Sequence, residues 1–416
     1  MDEQRKSESE LVPALRFEGF TDPWEQRKLG ELFAKGGSGG TPTATEPSYY
    51  NGEIPFLGIA DIEDRYIDST AKSLTEDGLN NSAAWVVPSG AICLAMYASV
   101  GKVGICELDL ATSQAFYNMV FDSQALRDYV YARLDKADAN AEWEPLISTG
   151  TQANLNAEKV KGFQMAVPCC EEADLVGSFF RGLDSLIALH QRKYEKLKTV
   201  KQSLLEKMLP KEGEDVPELR FEGFTDPWEQ RKLGEYLCVS AETNKAYEFS
   251  REDVLSVSGE YGVVNQVEFQ GRSFAGANVS GYGILRTGDL VYTKSPLKTN
   301  PYGIIKANLG RSGIVSTLYA TYKTKNEANP RFIDVYFSLN PRVNRYLYPL
   351  VNKGAKNDMK VSAENAIRGY VVFPSLTEQA EIGALFAKID SLIALHQREL
   401  EILKNLKKAL LEKMFV

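Results

Sequence analysis

Basic and tyrosine side chains alternate along one segment that contains no carboxylate between its ends. Between Asp289 and Glu327 the candidates are Lys294, Lys298, Tyr302, Lys306, Arg311, Tyr319, Tyr322 and Lys323. Cationic side chains neutralise phosphates, and tyrosine hydroxyls can add hydrogen bonds to the same oxygens. The segment therefore predicts a nucleic-acid surface. The alternative is a solvated sheet edge, where lysines prevent unwanted strand pairing.

Two polar loops and one glycine turn supply further candidates for contact with a nucleic acid. The loops "STGTQANLN" and "NKGAKNDMK" each precede the last strand-like run of their region, and the turn is "YASVGKVG". Asparagine and glutamine can bond adenine through two atoms, and lysine can bind phosphate. These candidates are Lys102, Thr151, Gln152, Asn154, Lys353 and Lys356. Ordinary loop polarity explains such residues equally well.

Familiar patterns for catalysis and metal binding do not occur in the sequence. "GGSGG" at 36–40 lacks the lysine of a phosphate-binding loop, and "NPYG" at 300–303 lacks the second proline of the N-P-P-Y signature of DNA amino-methyltransferases. The five cysteines show no C-x-x-C spacing, and the two histidines form no H-E-x-x-H motif. We predict no catalytic residue, no metal site and no cofactor bound by this chain.

The net charge of −8 over 416 residues hides two regions of opposite sign. Residues 32–170 carry 17 acidic and 9 basic side chains, a net charge of −8, whereas residues 236–375 carry 11 acidic and 17 basic side chains, a net charge of +6. Only the second region has the electrostatic character of a phosphate-binding surface. No run of about 18 apolar residues predicts a membrane span, and the polar start predicts no secretion signal. We predict a cytoplasmic protein with no membrane partner.

One segment of 17 residues occurs twice without a change. "LRFEGFTDPWEQRKLGE" runs from 15 to 31 and again from 219 to 235. Asp22 is suited to cap a helix, with Pro23 in its first turn, Glu25 three residues after the cap and Gly30 at its end. We therefore predict a short helix here, and we expect Trp24 to pack in a core.

A second, longer repeat has the apolar spacing of a coiled coil. "DSLIALHQRK" at 184–193 returns as "DSLIALHQRE" at 390–399, and "LKTVKQSLLEKM" at 197–208 returns as "LKNLKKALLEKM" at 403–414. Steps of 4 and 3 residues place one side chain per half-heptad on a seam that faces another helix. The seam residues are Leu183, Ile187, His190, Tyr194, Leu197, Lys201, Leu204 and Met208, and Ile389, Ile393, His396, Leu400, Leu403, Lys407, Leu410 and Met414. We predict that the two helices pair antiparallel and that both histidines are packed, hydrogen-bonded seam residues. Ser375 and Glu378 predict a capping box for the second helix, where the first has Cys169.

The regions between the repeats resemble each other little and predict mixed α/β structure. Strand-like runs are "IPFLGI", "AICLAM" and "GFQMAVP" in the first, and "GDLVYT", "YGIIKA" and "GYVVFP" in the second. The predicted fold is therefore two globular α/β domains separated by two long antiparallel coiled-coil helices, with an internal pseudo-twofold repeat. The predicted domains are 1–31 (repeat segment), 32–170 (variable), 171–211 (helix), 212–235 (repeat segment), 236–375 (variable) and 376–416 (helix).

This arrangement resembles the specificity subunit of type I restriction–modification enzymes. The resemblance rests on the repeated "GFTDPWEQRKLGE", on "GKVG", on the Gly/Gln/Asn loop before the last strand, and on "E-x-x-I-G-x-L-F-x-x-I-D-x-L-I" ending in the second helix. It implies that each variable region is a target-recognition domain reading one half of a bipartite double-stranded DNA site. It implies that the helices space these domains and dock two methyltransferase subunits, with motor–nuclease subunits joining for cleavage. S-adenosylmethionine, ATP and magnesium are expected on those partners.

Two other functions are compatible with parts of the sequence. A stand-alone DNA-modifying enzyme would explain the basic segment, but it needs the cofactor motifs that are missing. A scaffold that joins two protein-binding domains through its coiled coil would explain the helices without any DNA. Specific DNA binding by an assembled complex distinguishes the last alternative from the specificity subunit.

Overall fold

The computed structural model describes residues 11–147, 154–350, 352–353 and 359–416. Its contacts divide the chain into two compact units. Unit 1 consists of Met1–Lys193 and His396–Val416, and unit 2 consists of Tyr194–Leu395. Within the described part of the chain, every helix is too short or too polar to cross a bilayer. The two units are described separately below.

Among its described residues, unit 1 contains eleven strands and the first helices of the chain. The strands are β1 (Glu25–Lys28), β2 (Lys35–Ser38), β3 (Tyr50–Leu57), β4 (Tyr66–Ile67), β5 (Lys72–Leu74), β6 (Val86–Val87), β7 (Ile92–Ala95), β8 (Val103–Cys106), β9 (Leu110–Thr112), β10 (Phe116–Val120) and β11 (Gln164–Val167). The helices are α1 (Glu76–Asn80), α2 (Gln124–Ala139), α3 (Ala157–Lys161) and α4 (Cys170–Lys207), of which α4 continues into unit 2.

The strands of unit 1 form a five-stranded sheet in the order β2-β10-β7-β8-β4, a four-stranded sheet in the order β5-β3-β9-β6, and the pair β1-β11. Strands β7 and β8 are buried along their whole length, which explains their continuous apolar sequence. Ser123 caps α2 by accepting a hydrogen bond from the Leu126 amide, and α2 packs in the main core of this unit.

Unit 2 contains the remaining strands and ends in the second long helix. The strands are β12 (Glu229–Lys232), β13 (Leu237–Val239), β14 (Leu255–Ser258), β15 (Gly262–Asn265), β16 (Gly283–Leu285), β17 (Leu290–Thr293), β18 (Ile305–Ala307), β19 (Gly313–Val315), β20 (Tyr319–Thr324), β21 (Asn352–Lys353), β22 (Met359–Lys360) and β23 (Tyr370–Phe373). The helices are α5 (Leu233–Tyr236), α6 (Gln266–Gln270), α7 (Pro330–Tyr336), α8 (Asn340–Leu347), α9 (Ala363–Ala366) and α10 (Leu376–Met414), of which α10 continues into unit 1.

The central sheet of unit 2 has the order β13-β20-β17-β18, and the strand pairs β12-β23, β14-β15, β16-β19 and β21-β22 surround it. Its main core packs this sheet against α7, α8 and the end of α4. All six strand-like runs noted in the sequence form strands, namely β3, β7, β11, β17, β18 and β23. The prediction of mixed α/β structure is confirmed.

The duplicated 17-residue segment forms a strand where the sequence predicted a short helix. In unit 1, Glu25 pairs with Val167 and Lys28 with Gln164, so β1 lies antiparallel to β11. In unit 2, β12 pairs with β23 in the same way. The predicted helix between Asp22 and Gly30 is wrong because the segment gains a complete set of partners from the last strand of its unit. The expected burial of Trp24 is confirmed, since Trp24 and Trp228 are each 3% exposed.

Each long helix has one stripe of side chains that is shielded from solvent. Every seam residue of α4 and α10 is buried or half-buried, and the residues between them are mostly exposed. In unit 1, Lys407 lies 2.5 Å from Asp184, and His396 lies 3.2 Å from His190, so the parts of α4 and α10 in this unit run antiparallel. In unit 2, Lys201 of α4 lies 2.6 Å from Asp390 of α10, which repeats the first of these contacts.

The start of each long helix is fixed by the same buried ion pair. The Arg16 guanidinium donates two hydrogen bonds to the Glu172 carboxylate at 2.6 and 2.8 Å, and Arg220 donates two to Glu378 at 2.7 Å. The predicted capping box is therefore only half formed. Ser375 accepts a hydrogen bond from the Glu378 amide at 3.4 Å, but the Glu378 carboxylate binds Arg220 instead of the helix backbone.

Candidate nucleic-acid interface

The basic segment of unit 2 threads through the central sheet, which removes several of its side chains from the surface. Strands β17, β18 and β20 all belong to this segment. Tyr322 is 1% exposed, and its hydroxyl donates to the Ala363 carbonyl at 3.0 Å. Burial raises the pKa of Tyr322 above its ordinary range. The assignment of Tyr322 as a DNA contact is corrected, because alternate residues of a sheet strand point into the core.

Three cations of the segment are paired with acids that come from other parts of unit 2. Lys306 is 9% exposed and lies 3.8 Å from Asp334. Arg311 lies 3.2 Å from Glu268, and Lys323 donates to Glu242. The assignment of Lys306 is also corrected, because it is buried and its charge is compensated. The hydrogen bond from Lys323 lowers the pKa of Glu242, so this acid stays ionised beside its partner.

The part of the segment that remains accessible is the loop between β17 and β18. Lys298 is exposed, Lys294 and Tyr302 are half-buried, and Leu297 is among the exposed apolar residues. The Tyr302 ring packs edge-on against the Tyr348 ring, with centroids 5.5 Å apart. This loop presents cations beside aromatic rings, which is the combination that binds a phosphate backbone and its bases.

Hydrogen bonds to two backbone groups of this loop hold it in place. The Lys294 amide donates to the Leu318 carbonyl at 2.9 Å, and the Asn344 side chain on α8 donates to the Thr299 carbonyl at 3.0 Å. Gly303 has φ +88°, and a Cβ there would lie 2.1 Å from the Thr293 carbonyl oxygen. Only glycine fits this position, so the turn that follows the loop is fixed by the sequence.

Two exposed side chains that border the loop were not identified from the sequence. Leu318 and Tyr348 are 60% and 67% exposed. Tyr348 follows α8 directly and contacts the loop through Tyr302, whereas Tyr319, which the sequence did identify, is half-buried at the start of β20. An aromatic residue directly after a short polar helix was the available signal for Tyr348.

In unit 1, Lys102 lies in a strained turn. Ala98 and Ser99 have φ values of +39° and +56°, and a Cβ on Gly101 would lie 2.4 Å from the Trp143 ring. Left-handed residues other than glycine cost free energy and are concentrated at functional sites. Lys102 is half-buried. Burial raises the pKa of Asp138, and the charge of Lys102 opposes this shift, so the two groups interact.

The remaining loop candidates are only partly described. Asn154 forms an isolated antiparallel bridge with Tyr97, which places it beside the strained turn that ends at Lys102. Thr151, Gln152 and Lys356 lie outside the described residues. Lys353 lies in β21, but its side chain is outside the description as well. For these four residues a contact with DNA stays a prediction.

The long helices carry a second candidate surface, which lies outside the heptad seam. Leu186 and Leu189 are 47% and 40% exposed on α4, and the corresponding residues of the repeat, Leu392 and Leu395, are 44% and 47% exposed on α10. Exposed leucines beside a coiled-coil seam are available to a further partner. Their presence off the heptad stripe, at the same places in both copies, was the signal in the sequence.

Comparison with known proteins shows several that resemble this chain. Residues 21–199 match the family model described as the type I restriction modification DNA specificity domain. The specificity subunit of type I restriction enzyme MjaIX from Methanocaldococcus jannaschii is 26% identical over 232 residues, which are 53% of this chain and 53% of that protein. The specificity subunit of HindI from Haemophilus influenzae is 25% identical over 150 residues, which are 36% of this chain and 32% of that protein. The chain thus spans about half the length, or less, of these relatives.

A solved structure shows the same fold over almost the whole chain. The S subunit of a type I restriction–modification system from M. genitalium superposes with a TM-score of 0.58 at 14% sequence identity, covering 97% of this chain and 99% of that one. The resemblance noted in the sequence is confirmed by these similarities.

Proposed function

We propose that this chain, whose residues 21–199 belong to the family of type I restriction modification DNA specificity domains, is the non-catalytic DNA-recognition subunit of a type I restriction–modification complex. Each variable region reads one half of a bipartite double-stranded target. Catalysis belongs to partner subunits, which bind S-adenosylmethionine, ATP and magnesium. The complex acts on DNA in the cytoplasm.

The observation that carries this proposal is the duplication of a framework around two different regions. Each unit has the same strand beside the last strand of its variable region, the same buried Arg–Glu pair at the start of a long helix, and the same two exposed leucines. A framework that occurs twice can bind two copies of one partner. The regions between the repeats differ, as they must if they read different bases.

Within this proposal α4 and α10 form an antiparallel coiled coil that separates the two target-recognition domains. Such a spacer sets the distance between the two half-sites. The exposed leucines of each helix, Leu186 with Leu189 and Leu392 with Leu395, dock one methyltransferase subunit each. Motor–nuclease subunits bind the assembled complex. The domain order is the one predicted from the sequence, with the helices at Cys170–Lys207 and Leu376–Met414 in place of 171–211 and 376–416.

In unit 2 the loop between β17 and β18 contacts the DNA backbone. This assignment rests on the exposure of Lys298, on the position of Lys294 in the same loop, and on the Tyr302–Tyr348 ring pair at its edge. Arg311 and Lys323 contribute less, since Glu268 and Glu242 already compensate their charge. In unit 1 the strained turn that contains Lys102 contacts the DNA backbone instead, and Asn154 lies next to this turn.

Salt dependence of DNA binding tests this assignment directly. The double variant Lys294→Gln/Lys298→Gln, assembled with the methyltransferase subunit, should bind DNA containing the target sequence of the complex more weakly than the wild type does. The slope of log K against log [salt] should become shallower by up to about 2. Lys198→Gln, an exposed lysine on α4, is the matched control and should leave the slope unchanged.

An unchanged slope in the double variant would contradict the assignment of this loop. Absence of any sequence-specific binding by the wild-type complex would contradict the proposed function as a whole and would favour a scaffold that binds only proteins. The two results are distinguishable because only the second affects the wild-type protein.

A further inference from the structure

The only two histidines of the chain meet at one point in unit 1. His190 on α4 and His396 on α10 have their Nδ1 atoms 3.2 Å apart. The Oε2 atom of Glu399 lies 2.8 Å from the Nδ1 of His190 and 3.2 Å from the Nδ1 of His396. Three atoms with lone pairs therefore form a small triangle, and all three side chains are half-buried.

Hydrogen bonds alone cannot make all three sides of this triangle favourable. The carboxylate is only an acceptor, and each Nδ1 atom is either a donor or an acceptor. If both nitrogens carry a proton, two donors face each other. If one does, the lone pair of the other nitrogen faces the carboxylate. A cation bound by all three atoms removes this conflict, because each lone pair then points at positive charge.

The dimensions of the triangle fit a transition-metal ion. Zinc binds imidazole nitrogen and carboxylate oxygen at about 2.0–2.2 Å, which places the ligand atoms of a tetrahedral site about 3.3 Å apart. The observed separations of 2.8, 3.2 and 3.2 Å need only a slight expansion to reach that value. Two histidines and one carboxylate, with a fourth position left for water, form a ligand set typical of zinc and related divalent ions.

The two copies of the helix repeat differ at the residue that completes this set. The first copy has Lys193 where the second has Glu399. Two glutamates would add a second negative charge, and two lysines would leave no acidic ligand. Glu399 also follows His396 by three residues, which places both on one face of α10. The single Lys/Glu difference therefore supplies one carboxylate to two neutral imidazoles.

We propose that His190, His396 and Glu399 form a binding site for a divalent transition-metal ion of the zinc type, which links α4 to α10 within unit 1. This site lies on the helices and involves neither the loop between β17 and β18 nor the turn at Lys102. The spacing of histidines and cysteines along the sequence predicted no metal site. Such spacing identifies only ligands that lie close together in the chain, whereas His190 and His396 are 206 positions apart.

Titration of the full-length, metal-free protein with Co²⁺ tests the site, because Co²⁺ in a tetrahedral site absorbs visible light and Zn²⁺ displaces it. The protein should carry Cys169→Ser, Cys170→Ser and Cys238→Ser, since these three thiols are exposed and could bind the ion themselves. We expect one ion per chain. Glu399→Gln should weaken binding at least about tenfold, the size of effect seen when the surroundings of a metal site are altered.

Glu401→Gln is the matched control, because Glu401 is an exposed glutamate two residues further along the same helix. It should bind Co²⁺ as the parent protein does. Equal affinity of the Glu399→Gln and Glu401→Gln variants would overturn the proposal, and so would the lack of stoichiometric binding by the parent protein.

Thermal unfolding provides a second measurement that does not depend on the spectrum of the ion. Added Zn²⁺ should raise the Tm of the parent and of Glu401→Gln, because an ion that binds only the folded state stabilises it. It should raise the Tm of Glu399→Gln by less at the same Zn²⁺ concentration, because a weaker site contributes less stabilisation. Without metal, the parent protein, Glu399→Gln and Glu401→Gln should have the same Tm. This result would show that Glu399→Gln is folded. An equal rise in Tm for all three proteins would overturn the proposal.

Discussion

The same sequence segment makes different contacts in the two units. Trp24 and Trp228 occupy corresponding positions of the repeat and are equally buried. The indole Nε1 of Trp24 donates to the Glu172 carboxylate at 3.0 Å, which binds Arg16 as well. The Nε1 of Trp228 has no hydrogen-bond partner among the described residues, although Glu378 binds its own arginine in the same way.

The seam lysines show the same contrast. Lys407 lies within 2.7 Å of Asp135 and 2.5 Å of Asp184, and its side chain is 17% exposed. Lys201, its counterpart in the repeat, lies 2.6 Å from Asp390 alone and is 32% exposed. Asp135 belongs to α2, which is part of the variable region of unit 1. The repeat thus fixes the position of a contact, and the variable region next to it decides how much the contact contributes to stability.

The largest difference between the copies is expected at these lysines. Lys407→Met should lower the free energy of unfolding by about 3 kcal/mol, the lower end of the range for a broken buried pair, because it removes the cation that Asp135 and Asp184 share while Asp184 keeps Arg65. Lys201→Met should cost less than about 1 kcal/mol, since it breaks a single ion pair that is partly open to solvent. Chemical denaturation with hydrogen exchange resolved by unit measures both. Equal costs would contradict the assigned role of Asp135.

The pH dependence of the stability lost in Lys407→Met follows from the pKa shift of Lys407. Burial lowers the pKa of Lys407, but the attraction of Asp135 and Asp184 outweighs it, so the pKa is raised overall. A raised pKa of a basic group contributes stability that is complete below the unfolded value of about 10.4 and is lost only as pH rises through the folded value. The difference between wild type and Lys407→Met should therefore stay constant between pH 7 and 9.

An intermediate difference is expected at the tryptophans. Trp24→Phe and Trp228→Phe remove the same atoms from two equally buried sites, so their packing costs should be similar. Trp24→Phe also removes a hydrogen bond to a buried carboxylate, whereas Trp228→Phe removes a donor that has no partner. We expect Trp24→Phe to cost about 1–3 kcal/mol more. The measurement is denaturant unfolding of each variant, and a larger loss for Trp228→Phe would refute the comparison.

The smallest difference is expected at the first residue before each long helix. Cys169 and Ser375 both accept the first helical hydrogen bond through their carbonyl oxygens, but only the serine also accepts one through its side chain. Cys169→Ser should raise the free energy of unfolding by about 0.5–1 kcal/mol, and Ser375→Ala should lower it by a similar amount. Thermal unfolding measures both changes. A loss of stability in Cys169→Ser would show that the cap geometry differs between the copies.

The sequence predicted the elements better than the surfaces. Periodicity identified the two helices and their seam because a helix has the same repeat wherever it lies, and runs of apolar residues identified strands such as β7 and β17. Capping signals at Asp22 failed, since pairing with β11 outweighs a local preference of a few residues. The predicted DNA contacts of the basic segment were partly wrong, because three of its cations pair with acids from elsewhere in the chain. These acids are Asp334, Glu242 and Glu268. Charge counted along a sequence cannot include such partners.

The last residues of α10 have a consequence for how the protein is made. Leu411, Met414 and Phe415 are buried in the core of unit 1, and the Phe415 ring lies 5.3 Å from the ring of Tyr129. All of unit 2 is synthesised between the two parts of unit 1. At a translation rate of about 5–20 residues per second, the first part waits for tens of seconds with an open core. The unit that is begun first is therefore completed last, and its apolar surface stays uncovered during that interval.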